Sequence, residues 1–234
     1  YIQVWDQVYK QFSIAEFRHL NHGEEVLATL VDPVDSPFVA ILEVARRNTQ
    51  LEPPKEDLED LAEKNPKKGG KLARMATAAL IDQYEGTKVD KHFRDINALV
   101  TEGRAGLAPV ATIMDKMQGL KNFITDIAIS PEPGRQSFTL ARGRFSAGAG
   151  NAITELRAYA QSLPQPVRQW LDTLADQSWR VILDSARAYV DSEWRNQVYR
   201  PYSQSLQGRY PLNRSSNDEM ALFDFSAFFK PGGT

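Results

Sequence analysis

The 234-residue sequence contains no cysteine. This absence excludes disulfide bonds, thiolate catalysis and cysteine-ligated zinc sites, but it does not identify a cellular compartment. The sequence also lacks any apolar run near the roughly 20 residues that a helix needs to cross a bilayer, so we expect the chain itself to be soluble. It begins without methionine and ends in Gly-Gly-Thr. These ends lead us to expect a segment of a longer protein.

Neither sign of charge is in marked excess. The chain has 28 basic and 30 acidic residues and a formal net charge of -2 at pH 7. Nucleic-acid-binding domains usually carry a strongly basic face, so we expect no nucleic-acid partner. Hydrophobic residues make up 42% of the chain and charged residues 25%, as is typical of a folded globular protein. The length allows one large domain or two small ones.

Strand-like alternation is scarce in the sequence. It occurs only near residues 137–146, where a short hairpin is an alternative to a helix. Elsewhere the apolar residues recur at steps of three and four, which is typical of one buried helical face. The sequence therefore predicts an all-α fold, an elongated bundle of long amphipathic helices with at most a minor hairpin near 137–146.

The longest predicted helix begins near Val167. Its apolar positions stay on one face as far as Val198, and we expect Pro201 to end it. A helix of that length is a rod of roughly 50 Å. Three tryptophans of this helix are predicted to pack in the core: Trp170, Trp179 and Trp194.

Composition divides the chain into two predicted parts. Residues 1–105 are expected to form an N-terminal helical subdomain with a charged, proline-containing loop at about 51–70. Residues 106–234 are expected to form a long-helix subdomain that ends in a short docking helix at 217–230. Ser216 and Glu219 have the spacing of a capping box for that helix. Its apolar face is predicted to pack on the preceding helices through Ala221, Leu222, Phe225, Phe228 and Phe229.

The sequence offers little support for catalysis. His19, His22 and Glu25 have a spacing that could face one metal ion on a helix, but the HExxH pattern is absent and capping or solvated histidines explain the pair better. Leu72 occupies the position after Lys71 where a phosphate-binding loop needs serine or threonine. We therefore expect no cofactor and no enzyme activity, and keep a helical hydrolase or metal enzyme using His19, His22 and nearby acids as the alternative.

Aromatic and arginine residues alternate in "DSEWRNQVYRPYSQSLQGRYPL". These are the residue types that protein interfaces concentrate. A second alternative is therefore a free-standing helical adaptor, which would expose a wide apolar patch when isolated.

The stretch "WRNQVYRPYSQSLQGRYPLNRSSNDEMALFDFSAFFKPGG" resembles the IcmF/TssM family, the large inner-membrane protein of bacterial type VI secretion systems. The family pattern has a W-x-x-x-V motif, a tyrosine-bearing stretch, GRYPF, a polar loop, an acidic-Phe helix and FFxPGG in this order. Leu212 replaces the usual Phe, and Lys230 stands where Gly is common. Upstream, "SPFVAILEVARRNTQL" resembles the family's S-P-L-x-x-L-L-x-x-V segment. The C-terminal positions that match are Trp194, Val198, Tyr202, Gly208, Arg209, Tyr210, Pro211, Phe225, Phe228, Phe229, Pro231, Gly232 and Gly233.

The resemblance implies a structural role. It places the chain in the helical part of the family's periplasmic region, on the periplasmic side of the inner membrane. The family's nucleotide-binding domain, transmembrane helices and β-rich end then lie outside this chain. The implied function is a scaffold of the type VI secretion membrane core complex, without catalysis or cofactor. The implied partners are the outer-membrane lipoprotein TssJ, bound through the β-rich segment, an inner-membrane partner subunit and further copies of the same protein.

Overall fold

The computed structural model of the protein describes residues 1–51, 86–102, 108–143 and 150–230. Most of the charged loop predicted at about 51–70 lies outside these residues. Pro231 and Gly232 of the family signature also lie outside them. The predicted division of the chain at residue 105 stays a prediction.

Within these ranges the regular structure is helical, and it contains no strand longer than a single bridge between Tyr210 and Glu219. The prediction of an all-α bundle is confirmed. The alternative hairpin is wrong over residues 137–143, because they belong to α6. The helices are α1 (Ile2–Gln11), α2 (Leu20–Leu30), α3 (Pro37–Thr49), α4 (Lys88–Asn97) with a 3₁₀ turn (Ala98–Val100), α5 (Pro109–Ala128), α6 (Pro133–Gly143), α7 (Ala152–Ala160), α8 (Val167–Glu193), a π-helix (Trp194–Tyr199), α9 (Arg200–Ser205) and α10 (Leu222–Phe229).

Local sequence explains where several helices begin. The Ser36 hydroxyl accepts a hydrogen bond from the Val39 N–H at 3.3 Å, and Pro37 fills the first helical position of α3, where no donor is needed. A reciprocal capping box between Thr87 and Asp90 starts α4. These caps satisfy N–H groups that the helix itself leaves without partners.

The long helix α8 organises the bundle. It packs against α2, α6 and α7, while α5 packs against α2 and α7, and α3 packs against α4. At 1.5 Å per residue, the 27 residues of α8 span about 40 Å. One cluster of buried side chains fills the space between the helices, including Leu27, Leu42, Ile113, Met117, Leu120, Ile124, Leu156, Leu171, Leu174 and Ile182.

Five rings form an aromatic cluster that joins α1, α3, α4 and α8: Tyr9, Phe12, Phe38, Phe93 and Trp170. Ring centroids of Trp170 lie 4.6 Å from Phe12, 5.9 Å from Phe38 and 6.1 Å from Tyr9. Trp170 is only 4% exposed, as predicted for it. Tilted and edge-on pairs of this kind add to the stabilisation from burial itself.

The extended residues between α1 and α2 are fixed on α8 by Phe17. Its N–H donates to Gln177 Oε1 at 2.7 Å, and its carbonyl accepts from Arg180 Nη2 at 2.7 Å. The Phe17 ring is buried against Gly23, where an added Cβ would lie 2.9 Å from Phe17 Cδ2. Gly23, which interrupts the helical pattern of α2 in the sequence, is therefore required by close packing.

The prediction that Pro201 ends the long helix is wrong. The chain continues helically from α8 through the π-helix into α9, and Pro201 lies in the first turn of α9. Proline lacks an N–H, and its ring clashes with the carbonyl four residues earlier in an α-helix. A π-helix directly before it widens that turn, which accommodates the ring.

Candidate protein-interaction surface

We call residues 194–229 the C-terminal aromatic segment. The structure describes all of them, and they are mostly not buried. Leu206 is the one buried residue of the segment. Exposed apolar area of this extent marks an interaction surface more often than a structural feature of a monomer. The large side chains that it exposes are Trp194, Tyr199, Tyr210, Leu212, Leu222, Phe223, Phe225 and Phe229.

The segment folds back on itself through a short loop. Gly208 has φ +78°, a backbone conformation that favours glycine, and it turns the chain just after α9. Tyr210 then pairs with the following loop: its N–H donates to the Asp218 carbonyl at 2.8 Å, and its carbonyl accepts from the Met220 N–H at 3.1 Å. The Tyr202 and Phe228 rings, 6.1 Å apart, bring α10 against α9.

The C-terminal helix differs from its prediction. It covers Leu222–Phe229 instead of 217–230, and no side chain caps it. Ser216 does not reach a capping position, because it hydrogen-bonds with Asp218 while Asp218 and Met220 pair with Tyr210. No residue of α10 is buried. Its docking within the described chain is limited to the edge of α9.

Among the residues that match the family pattern, some lie in the turn after α9 and others lie in α10. Gly208, Arg209 and Tyr210 form the turn after α9, and Pro211 follows them on the exposed side of the chain. Phe228 is half-buried against Tyr202, whereas Phe225 is 38% exposed and Phe229 is also exposed. The structure thus brings the turn and α10 together, but it leaves most of the phenylalanine surface open.

Trp194 lies outside the core, contrary to its prediction. It is 58% exposed, and the buried face of α8 ends two turns earlier, at Ala186. Trp179 is half-buried at the edge of the core. The prediction failed for Trp194 because 24 residues at 3.6 per turn set its side chain about 120° around the helix axis from Trp170, away from the buried face of α8.

The π-helix brings residues five apart to the same side of the helix axis. The Arg200 N–H donates to the Arg195 carbonyl, and this i→i+5 hydrogen bonding sets Trp194 and Tyr199, and likewise Arg195 and Arg200, on one side. In an α-helix, residues five apart would point about 140° away from each other. All four side chains are exposed. We call Trp194, Arg195, Tyr199 and Arg200 the π-helix face.

The arginines of this part of the chain form no ion pairs within the described residues, although acidic residues flank the stretch on both sides. Residues 194–217 contain four arginines and no Asp or Glu, although the whole chain has a net charge of -2. Within the part of the chain that the structure describes, none of the four arginines lies within 4.0 Å of a carboxylate oxygen. They are Arg195, Arg200, Arg209 and Arg214.

The two N-terminal histidines act as caps in the structure. His19 Nδ1 accepts from the His22 N–H at 3.2 Å, and His22 Nδ1 accepts from the Arg18 N–H at 3.2 Å. The Nδ1 atoms of both imidazoles therefore accept hydrogen bonds from the backbone. Among the described residues, no group of three or more His, Asp or Glu side chains is arranged to hold a metal ion.

The acidic residues beside the α2–α3 connection also have a structural role. Asp32 Oδ1 accepts from the Val34 and Asp35 N–H groups, each at 2.8 Å. The hydrogen bonds from Asp35 and Val34 hold the pKa of Asp32 below its usual range. A carboxylate kept ionised in a turn of this kind is suited to fixing the loop and not to donating a proton.

No helix in the described part of the chain combines the length and the apolar character that a membrane span requires.

Comparison with known proteins gives consistent matches. No family model matches the chain. It is 24% identical over 246 residues to the type VI secretion system component TssM1 of Pseudomonas aeruginosa, covering 100% of this chain and 22% of TssM1. Among solved structures, a type VI secretion system membrane core complex matches 97% of this chain and 42% of its own, with a TM-score of 0.57 and 17% identity. A type VI membrane complex matches 94% of this chain and 39% of its own, with a TM-score of 0.55 and 16% identity.

The chain thus spans about a fifth of the length of the curated relative that it matches. The structural matches establish a shared helical fold, and the sequence match extends over the whole chain. The sequence match to TssM1 agrees with the resemblance in the C-terminal motifs.

Proposed function

We propose that the chain is a non-catalytic helical scaffold of a type VI secretion membrane core complex, where it mediates assembly with other proteins. The observation that carries the proposal is the match to TssM1 over the full length of the chain. The fold adds support, because a 27-residue helix packed on three others forms a rigid spacer. The exposed C-terminal aromatic segment supplies a surface for association.

The finer assignments rest on the resemblance. The scaffold would lie on the periplasmic side of the inner membrane, with residues 1–105 and 106–234 as its two parts. It would contact an inner-membrane partner subunit and further copies of itself. The outer-membrane lipoprotein TssJ would bind mainly through a β-rich segment that follows the helices.

The test uses the parent protein in its own secretion system. Deletion of the segment that corresponds to this chain should abolish recovery of the membrane complex and secretion together, because the scaffold links the other parts. A pull-down with TssJ, with and without the following β-rich segment, locates the lipoprotein site. We expect strong binding only when that segment is present. Intact complex and secretion after the deletion would contradict the proposed function.

The alternative of a hydrolase or metal enzyme has its own test. The double variant His19→Asn, His22→Gln removes both imidazoles, and asparagine is itself a preferred helix cap. A scaffold should keep its secretion activity and helical content in this variant. Loss of secretion with unchanged helical content and complex recovery would instead favour chemistry at the histidines.

The adaptor alternative shares one observation with the scaffold. An exposed apolar patch in the isolated chain is what a free-standing adaptor requires, and residues 194–229 provide one. The match to TssM1 favours the scaffold, because it places the same helices inside a much longer protein.

A further inference from the structure

The π-helix face combines exposed rings and exposed arginines that form no ion pairs within the described residues. It has two exposed rings beside two exposed guanidinium groups, on a segment without any acidic residue from 194 to 217. The resemblance to TssM1 says nothing of what covers this face. We propose that the π-helix face of Trp194, Arg195, Tyr199 and Arg200 docks on an acidic surface of a partner protein.

The geometry favours this use. The backbone of the π-helix sets two exposed rings, Trp194 and Tyr199, and two exposed guanidinium groups on the same side of the helix. Planar guanidinium groups bind carboxylates through paired hydrogen bonds, and Trp and Tyr anchor interfaces through large rigid rings. Rings beside cations match a partner surface that has carboxylates next to an apolar groove.

The charges are available to a partner. The exposed arginines elsewhere in the bundle often have a carboxylate beside them: Arg47 pairs with Glu43, Arg135 with Glu132, and Arg157 with Asp176. Arg195 and Arg200 have no such partner among the described residues, and no side-chain hydrogen bond of either is formed there. A partner with carboxylates would therefore gain both attractions without breaking existing pairs.

A protein surface fits better than an anionic membrane. Asp218, Glu219 and Asp224 lie in the loop and helix that fold back on α9, and all three would be repelled by anionic headgroups. A protein partner can place its carboxylates locally, opposite the arginines. Complementary charge of this kind directs the partner and its orientation more than it adds to affinity.

The inference rests on the proposed assembly role, and the experiment separates the two. A photoreactive phenylalanine analogue replaces Tyr199 in the full-length parent protein, which is produced in cells that carry its secretion system. The captured protein and the position of the cross-link on it are identified by mass spectrometry. Recovery of the membrane complex is measured in the same cells. We expect a cross-link to a surface with an excess of Asp and Glu.

Charge reversal supplies the decisive comparison. The double variant Arg195→Glu, Arg200→Glu should lower the cross-link yield about tenfold, as expected for the loss of two exposed ion pairs. The control Arg18→Glu, Arg47→Glu has the same change in net charge on exposed residues far from α9, and it should leave the yield unchanged. Reversal of the cross-linked acidic residues of the partner to arginine should restore the yield with Arg195→Glu, Arg200→Glu.

Two aromatic variants test the rings. Trp194→Ala should lower the yield about thirtyfold, the effect of losing one interface hot spot. Phe223→Ala removes a ring that is 80% exposed on α10, outside the π-helix face, and should change the yield less than threefold. Equal losses of cross-link yield in Trp194→Ala and Phe223→Ala would overturn the assignment of the docking surface to the π-helix face.

Other outcomes also overturn the inference. These are a cross-link to lipid instead of protein, a yield that charge reversal does not lower, and no cross-link in cells where the complex forms. If the parent protein is absent from any recovered membrane complex, even with the control variant, the proposed function fails instead.

Discussion

Aromatic residues are concentrated in two regions of the protein, with opposite surroundings. In the aromatic cluster, Trp170 is 4% exposed and contacts rings that come from α1 and α3. In the C-terminal aromatic segment, Trp194 is 58% exposed, and the ring contacts that are formed join only α9 and α10. The two tryptophans lie 24 residues apart on one continuous helical run.

The difference lies in how many separate elements supply the neighbours. Rings from helices distant in sequence surround Trp170, so its burial holds the bundle together. The described ring contacts of the C-terminal segment come from its own 36 residues, and a piece of that size buries little of its surface by itself. The first region therefore serves stability, and the second is available for association.

The largest expected effect compares the two tryptophans directly. Trp170→Ala should lower the free energy of unfolding by about 3–5 kcal/mol, because it leaves a cavity among three buried or half-buried rings, those of Tyr9, Phe12 and Phe38. Trp194→Ala should change it by less than about 0.5 kcal/mol, since little is packed around that ring. Urea denaturation followed by circular dichroism measures both. Similar losses in the two variants would remove the distinction between the regions.

A smaller effect is expected at two glycines, Gly23 in the buried bundle and Gly208 in the C-terminal aromatic segment, where glycine is required for different reasons. Gly23→Ala should cost about 1–2 kcal/mol, because the new methyl group presses on the buried Phe17 ring and outweighs the gain in helix propensity. Gly208→Ala should cost about 1 kcal/mol through its positive φ alone, since nothing lies within 4 Å of an added Cβ.

Gly119→Ala is the matched control for the glycine series. Gly119 lies inside α5 with nothing within 4 Å of an added Cβ, so alanine should stabilise the protein by about 0.5–1 kcal/mol. Thermal and urea unfolding of the three variants give the comparison. If Gly23→Ala also stabilised the protein, the close contact with Phe17 would not limit the packing of α2.

Much of the bundle could be predicted because a helix that is buried on one side has apolar residues at steps of three and four. In α3, apolar residues at steps of three and four predict one inward face, and of these Phe38, Leu42 and Ala45 are buried and Ile41 is half-buried. Residues 137–143 were ambiguous, since alternating apolar residues fit either a strand or a helix. Their helix is decided by tertiary packing: an added Cβ at Gly134 would lie 2.9 Å from Tyr189 Cβ, so α6 lies directly on α8.

The candidate surface could be predicted only in part. Sequence motifs pointed to the stretch from Trp194 to Phe229, but not to which rings are exposed. At 3.6 residues per turn, 24 residues set Trp194 about 120° around the helix axis from Trp170, so the helical period counted over the whole of α8 already separates the two rings. Similarly, the spacing of His19 and His22 fits a metal site or a cap. In the structure, the N–H groups of Arg18 and His22 donate to the Nδ1 atoms of His22 and His19, which is the arrangement of a helix cap.

Another small effect distinguishes a buried tyrosine from an exposed one. Tyr9 lies in the aromatic cluster, and its hydroxyl has no hydrogen-bond partner among the described residues. Tyr9→Phe removes that unsatisfied polar group, so it should raise the free energy of unfolding at pH 7 by about 1 kcal/mol. The exposed Tyr199 is the control, and Tyr199→Phe should leave the value unchanged.

The same substitution has a signature in the pH dependence of stability. Burial raises the pKa of Tyr9 to about 12, whereas a tyrosine in the unfolded chain ionises near 10. Between these values the unfolded state loses its proton first, so the contribution of Tyr9 to stability falls as the pH rises from about 10 to about 12. Urea titrations across that range should therefore show a steeper loss in the wild type than in Tyr9→Phe. Equal pH slopes of the unfolding free energy in the two proteins would mean that Tyr9 ionises as readily in the folded protein as in the unfolded chain. That result would contradict the burial of Tyr9 in the aromatic cluster, and with it the contrast to the exposed C-terminal rings.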